Sequence, residues 1–184
     1  MRVAAVLDTW FVSGPGRQLA ALASELKREG VELRVFMFQR HGRPPAPYIE
    51  YLRNLDVDCT VIPESGAFDT GLPARLARAL SLWQPDIVQS HGYRPTTLIA
   101  LLNLHKKRWP WIGYFHGDTF ENLRVRSYHL LNRVLLPRAD RIVVLSEEHK
   151  VLFGKHSAKV RLIHNASLVL PPPPPCIAVA HRHV

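Results

Sequence analysis

Cysteine is scarce in this 184-residue chain: only Cys59 and Cys176 occur. Cys59 lies in an apolar, strand-like pattern and Cys176 near the last residues, so no disulfide framework is indicated and a reducing cytoplasm is the expected home. The ten histidines form no His-Glu-x-x-His, and the two cysteines are not at ligand spacing, so neither a metal site nor a cofactor is expected. Gly-x-Ser-x-Gly is absent, which removes the serine-hydrolase elbow. No apolar run approaches the length of a bilayer span. The stretch Met1 to Leu7 is too short for a signal-peptide core, is broken by Asp8 and lacks a small-residue cleavage site, so it reads as a first strand. Acidic residues are few as well: 15 Asp and Glu against 24 Lys and Arg leave a formal charge of +9. That excess fits anionic partners such as phosphates, a nucleotide or an acidic membrane surface, and equally fits a basic surface with no partner. No nucleic-acid partner is expected.

Hydrophobic residues make up 47% of the chain, enough for one domain with a full core. Short apolar runs at Val3–Leu7, Leu33–Phe38, Thr60–Ile62, Ile87–Gln89, Trp111–Phe115, Ile142–Leu145 and Val160–Ile163 read as strands. Helical spacing lies between them. Leu19, Leu22, Ala23 and Leu26 share one face before Gly30. Tyr48–Leu55 is short, Pro73 opens a helix ending at Trp83 before Pro85, and Pro95 opens another carrying Leu98, Ile99, Leu101 and Leu102. Glu121–Leu136 follows, with Val125, Tyr128, Leu131, Leu135 and Leu136 as its expected core positions, then Glu147–Phe153 with Ser146 as N-cap. This alternation predicts an α/β fold, a parallel sheet of about seven strands with helices on both faces. The pattern stops at Ser167. Residues 1–166 therefore form the expected domain, and 167–184, with prolines at 171–175, a Pro-rich tail expected to be disordered or loosely attached.

Two strand runs end in His-Gly, at His91-Gly92 and at His116-Gly117. A polar residue followed by Gly after a buried parallel strand sits at the strand's C-terminal end, where open α/β sheets bind ligands. A histidine there can bond a sugar hydroxyl or move a proton, and can equally be structural. After the first strand comes Ser13-Gly14-Pro15-Gly16-Arg17, where Gly14 and Gly16 would let backbone N–H groups approach an anion; a plain tight turn feeding a helix accounts for it as well. A dinucleotide fingerprint is disfavoured, because Leu19 stands where a third Gly belongs and Gln39 and Arg40 stand where an acid belongs. Lys106, Lys107 and Arg108 beside Trp109 and Trp111 combine cations with aromatics as membrane-surface segments do, although a solvated helix end beside a core Trp is preferred.

Five motifs in order carry a family resemblance: Gly14-Pro15-Gly16-Arg17-Gln18-Leu19, Gln84-Pro85-Asp86-Ile87-Val88-Gln89-Ser90-His91-Gly92, Phe115-His116-Gly117, Arg138-Ala139-Asp140-Arg141-Ile142-Val143-Val144-Leu145-Ser146 and Arg161-Leu162-Ile163-His164-Asn165. Together they resemble the N-terminal domain of glycosyltransferase family 4, retaining enzymes of the GT-B fold, over nearly all of residues 1–165. The resemblance implies a Rossmann-like domain that binds the acceptor and faces a second domain holding a nucleotide-sugar. It implies a catalytic-site role for His116, contacting the transferred sugar. It also implies substrate binding by Gly14, Gly16, Arg17, His91 and Ser146 along the cleft, near the donor phosphates in the case of the glycines. Two departures stand out. The family's junction Asn-Gly is Asn165-Ala166 here, and its donor-domain pair of glutamates with seven other residues between them is absent. The expectation is an acceptor-binding half, inactive alone and served by a missing or separate donor domain, cytoplasmic or peripheral to a membrane. The alternatives are a non-catalytic docking subunit and a small-ligand α/β domain unrelated to sugar transfer.

Overall fold

Strand β1, Arg2–Leu7, is apolar on both faces, and both faces are covered. Val3, Ala5 and Leu7 point into one hydrophobic cluster, while Ala4 and Val6 point into another. This is the period-2 alternation of a central strand in a two-sided sheet. The structure is a computed structural model and describes residues 1–66, 69–104, 107–117 and 123–164, without the side chains of 123–125. The expected boundary at residue 166, the Pro-rich tail, Cys176, Lys106 and the expected helix start at Glu121 lie outside the described residues.

The remaining strands are β2 (Glu32–Arg40), β3 (Cys59–Glu64), β4 (Ile87–His91), β5 (Trp111–Phe115), β6 (Arg141–Val144) and β7 (Val160–Leu162). They form one seven-stranded sheet in the order β3-β2-β1-β4-β5-β6-β7, with every pairing parallel. The predicted architecture is thus observed. Pro63 sits in β3, an edge strand, where its missing N–H costs no ladder bond on the open side.

Helices α1 (Gly14–Arg28) and α2 (Pro47–Asn54) cover one face through Leu19, Ala20, Ala23, Tyr48 and Leu52. Helices α3 (Leu72–Trp83) and α4 (Tyr93–Leu102) cover the other through Leu76, Leu80, Trp83 and Ile99. Helix α5 (Leu123–Leu135) lies along α4, and α6 (Glu147–Leu152) caps the β6–β7 end, where Phe115, Leu136, Ile142, Val144, Phe153 and Val160 form a third cluster.

One expected core position needs correction. Leu131 is 40% exposed and not core. The inward stripe runs through Tyr128, Asn132 and Leu135 of α5 and on to Leu136 in the turn that follows, spaced i, i+4, i+7, i+8, which leaves Leu131 to one side. Leu101 is 51% exposed, because α4 buries Leu98, Ile99 and Ala100 instead. The basic cluster takes the preferred reading: Trp109 and Trp111 are buried in the core, and exposed Lys107 pairs with Asp140. Those aromatics pack inside the protein, so they offer no face to a lipid surface. Among the described residues no helix is long and apolar enough to cross a membrane.

Candidate functional site

β4 and β5 deliver the two histidines to one rim. β4 runs to His91 itself, two residues farther than its apolar pattern predicted, and pairs His91 with Leu7 on one side and Tyr114 on the other. Gly92 and Gly117 follow with φ of 91° and 96°, a conformation that glycine adopts without strain, so the chain leaves the sheet at once and the histidines stay at its C-terminal rim. His91 Nδ1 lies 3.1 Å from His116 Nε2. Nε2 of His91 lies 3.4 Å from Gln89 Oε1. The His91 ring stacks on Tyr114 at 4.3 Å between centroids.

Burial governs the charge of this pair. Desolvation, with the neighbouring His116 as a second cause, holds the His91 imidazole well below its ordinary value. Desolvation alone pushes His116 down to about 4. Both rings are therefore neutral at pH 7. Among the described residues, Nδ1 of His116 is buried without a partner, and so is Nδ1 of His149. His149 stands on α6 with its ring edge-on to Phe115 and against the open face of Gly117. Among the described residues, no group of three or more His, Cys, Asp or Glu is placed to hold a metal.

The glycine-rich stretch is the first turn of a helix. Ser13 is the N-cap of α1, accepting from the N–H of Gly16 at 3.2 Å, and Pro15 occupies an early helical position suited to it. Gly16 is buried: Tyr48 donates to its carbonyl oxygen, and a Cβ there would stand 2.8 Å from the Tyr48 ring. Its N–H and its open face are thus engaged within the protein. Gly14 has nothing within 4 Å of a Cβ position and is exposed, as is Arg17. Ser146 caps α6, accepting from the His149 N–H at 3.3 Å. All six residues named from the sequence therefore lie on the C-terminal rim, following β1, β4, β5 and β6, and His91 and His116 are in direct contact.

Beside them opens a cavity of about 530 Å³ that sequence reasoning missed. Asp8, directly after Leu7, enters its wall with Glu64 from the end of β3 and Arg94 from the first turn of α4. Arg94 bonds Asp8 at 3.1 Å and Glu64 at 2.7 Å, and Arg40 reaches Glu64 at 3.5 Å. Glu64 is only 3% exposed, so these cations neutralise a buried carboxylate. Aromatic walls complete the cavity: Trp10, Phe38 under the Arg94 guanidinium, and Tyr93 stacked on Tyr128 at 4.6 Å with an interplanar angle of 4°. One signal was present in the sequence. A cation in the first turn of a helix opposes the helix dipole, so Arg94 needed an acidic partner from elsewhere.

Comparisons with known proteins follow this geometry. The family model described as Glycosyltransferase Family 4 matches residues 12–166. HepE from Anabaena, solved with UDP and glucose, superposes with a TM-score of 0.71 at 14% identity, covering 91% of this chain and 45% of that one. UDP-GlcNAc 2-epimerase from Neisseria meningitidis, bound to UDP-GlcNAc, gives 0.65 at 18% identity, covering 88% and 46%. A sucrose-phosphate synthase chain from Thermosynechococcus elongatus gives 0.61 at 12%, covering 91% and 90%. No curated protein matches the chain. The chain spans about half the length of the first two structures, and at these identities the likeness is one of fold: a Rossmann-like sheet of the kind found in GT-B glycosyltransferases.

Proposed function

The chain belongs to glycosyltransferase family 4, and from that premise we propose that residues 1–166 form the acceptor-side wall of a retaining sugar-transfer site. The observation that carries this reading is the rim itself: a neutral His91–His116 pair beside an open cavity of paired charges and aromatic rings. Aromatic faces with carboxylate and guanidinium groups suit a hydroxyl-rich acceptor, since rings cover the apolar side of a sugar while charged groups bond its hydroxyls. His116 is the group we assign to the transferred sugar, with His91 behind it. Exposed Gly14 and Arg17, at the positively polarised start of α1, face the side where a diphosphate leaves. Gly16 supports that turn through Tyr48, and Ser146 shapes the rim through its cap.

Sugar transfer also needs the donor's leaving diphosphate stabilised and its reacting carbon aimed at the acceptor oxygen. The 184-residue chain presents one wall, open to water, so as an isolated chain it binds a nucleotide-sugar weakly and does not turn it over. A donor-side wall, on the same polypeptide or another, completes the site.

The test is solution NMR of the chain with methyl α-glucoside as an acceptor-like probe and UDP-glucose as a donor probe. Glucoside should shift resonances of Trp10, Tyr93 and Tyr128, and UDP-glucose should give weak, salt-sensitive shifts near Gly14 and Arg17 with no product. Turnover of UDP-glucose by the purified chain, or glucoside shifts confined to the opposite edge of the sheet, would refute the reading.

A further inference from the structure

Gln89, His91 and His116 form a chain of side chains along the rim, Gln89 Oε1 to His91 Nε2 at 3.4 Å and His91 Nδ1 to His116 Nε2 at 3.1 Å. Gln89 and His91 are two residues apart on β4, so their side chains lie on one face of the strand. Both are buried, at 6% and 5% exposure, so water does not compete for these bonds.

We propose that Gln89 is a positioning residue: through His91 it fixes His116 as the Nε2–H tautomer and leaves His116 Nδ1 as a bare hydrogen-bond acceptor on the rim. An amide oxygen only accepts, so the nitrogen facing it, His91 Nε2, carries the proton. A neutral imidazole has one N–H, so His91 Nδ1 is then an acceptor, and the proton in the 3.1 Å contact belongs to His116 Nε2. His116 Nδ1 is left with its lone pair, and this is the atom that is buried without a partner among the described residues. The reverse arrangement sets the lone pair of His91 Nε2 against the oxygen of Gln89. It also leaves an N–H of His116 buried and unanswered, which is the costlier state for a buried polar group.

A consequence for ligands follows, and it rests on the sugar-transfer reading above. Nδ1 is itself buried, so its lone pair acts on a ligand through its field and not by contact: the rim there favours a donor such as a sugar hydroxyl over a fully ionised phosphate oxygen. The tautomer itself does not depend on that reading and is measured on the free protein.

Long-range ¹H–¹⁵N correlation spectra of the uniformly labelled chain at neutral pH report the tautomer of each histidine. We expect His116 and His91 both as Nε2–H forms, with a scalar coupling across the hydrogen bond from His116 Nε2 to His91 Nδ1. In Gln89→Met, close in shape but without the oxygen, both rings should become mixtures of the two tautomers while Trp111 and Tyr114 keep their shifts. Wild-type His116 protonated at Nδ1 overturns the proposal, whether or not the variant folds. Unchanged histidine patterns in folded Gln89→Met overturn it too. Failure of glucoside to bind, with the tautomers as expected, counts against the acceptor reading alone.

Discussion

Tyr48 donates its phenolic hydrogen to the carbonyl oxygen of Gly16 at 2.7 Å, and its ring fills the space where a Cβ on Gly16 would stand. The pair links α2 to the first turn of α1 across 32 residues and is fully buried. Gly16→Ala should therefore cost about 1–3 kcal/mol, the usual penalty of forcing an extra carbon into a packed contact. Gly14→Ala meets nothing and should be close to neutral. Urea unfolding of the two variants checks the contrast, and equal midpoints would mean the Tyr48 contact does not constrain Gly16.

Arg94 should be the costlier loss on the cavity wall. It holds both Asp8 and Glu64, and Glu64 is buried. Arg94→Met leaves Glu64, among the described residues, with Arg40 alone at 3.5 Å, an under-compensated charge in a low-dielectric place. We expect a loss of about 3 kcal/mol at pH 7, since breaking one partner of a buried pair is far worse than removing both. Arg94→Met combined with Glu64→Gln should recover much of it. A single-variant loss below about 1 kcal/mol in the same unfolding assay would show that water already shares the charge.

Much of this architecture was legible in the sequence. β1 and β5 are continuous apolar runs, and their bounds were read to within a residue. The His-Gly endings of β4 and β5 placed both histidines on the rim. What failed to show has physical causes. The last two residues of β4, Ser90 and His91, are polar and were left out of the strand, because hydrophobic pattern does not count polar residues that find partners inside. Ser90 accepts from the indole N–H of Trp111 at 2.9 Å and lies 3.1 Å from the Thr96 hydroxyl. The start of α1 read as a loop because Gly and Pro interrupt most helices, yet Pro suits a first turn. The cavity was invisible because Asp8 and Arg94 are 86 residues apart and meet only through the strand order.

Gly113 offers a test of the sheet's other half. It lies in β5 between Ser90 and Ile142, and a Cβ there would run into the Leu136 side chain and approach Ala139. Gly113→Ala should lose about 1–3 kcal/mol through overpacking. Adding Leu136→Ala should relieve the clash, so that the double variant is more stable than the sum of the two losses predicts. Strict additivity in the cycle would contradict the contact.

Stability should fall as the solution is acidified through the range where free histidine titrates. In the unfolded chain both rings take up a proton near their ordinary value of about 6.5. In the folded chain burial keeps His116 neutral down to about 4, and His91 is held well below its ordinary value by desolvation and by His116. Between about pH 6.5 and 4 the unfolded state thus binds more protons than the native one, so acid favours unfolding and the slope is positive with pH. Above about 7 both states are neutral at these rings and the contribution is constant. His116 alone should account for a loss on the order of 3 kcal/mol across that window, with His91 adding to it. Urea titrations at pH 7, 6 and 5 should show the decline, and His116→Gln, which removes one of the two buried rings, should reduce it. A wild-type midpoint unchanged from pH 7 to pH 5 would mean that the pair is already hydrated, and that the rim is not the dry, neutral surface on which an uncharged sugar hydroxyl would be held.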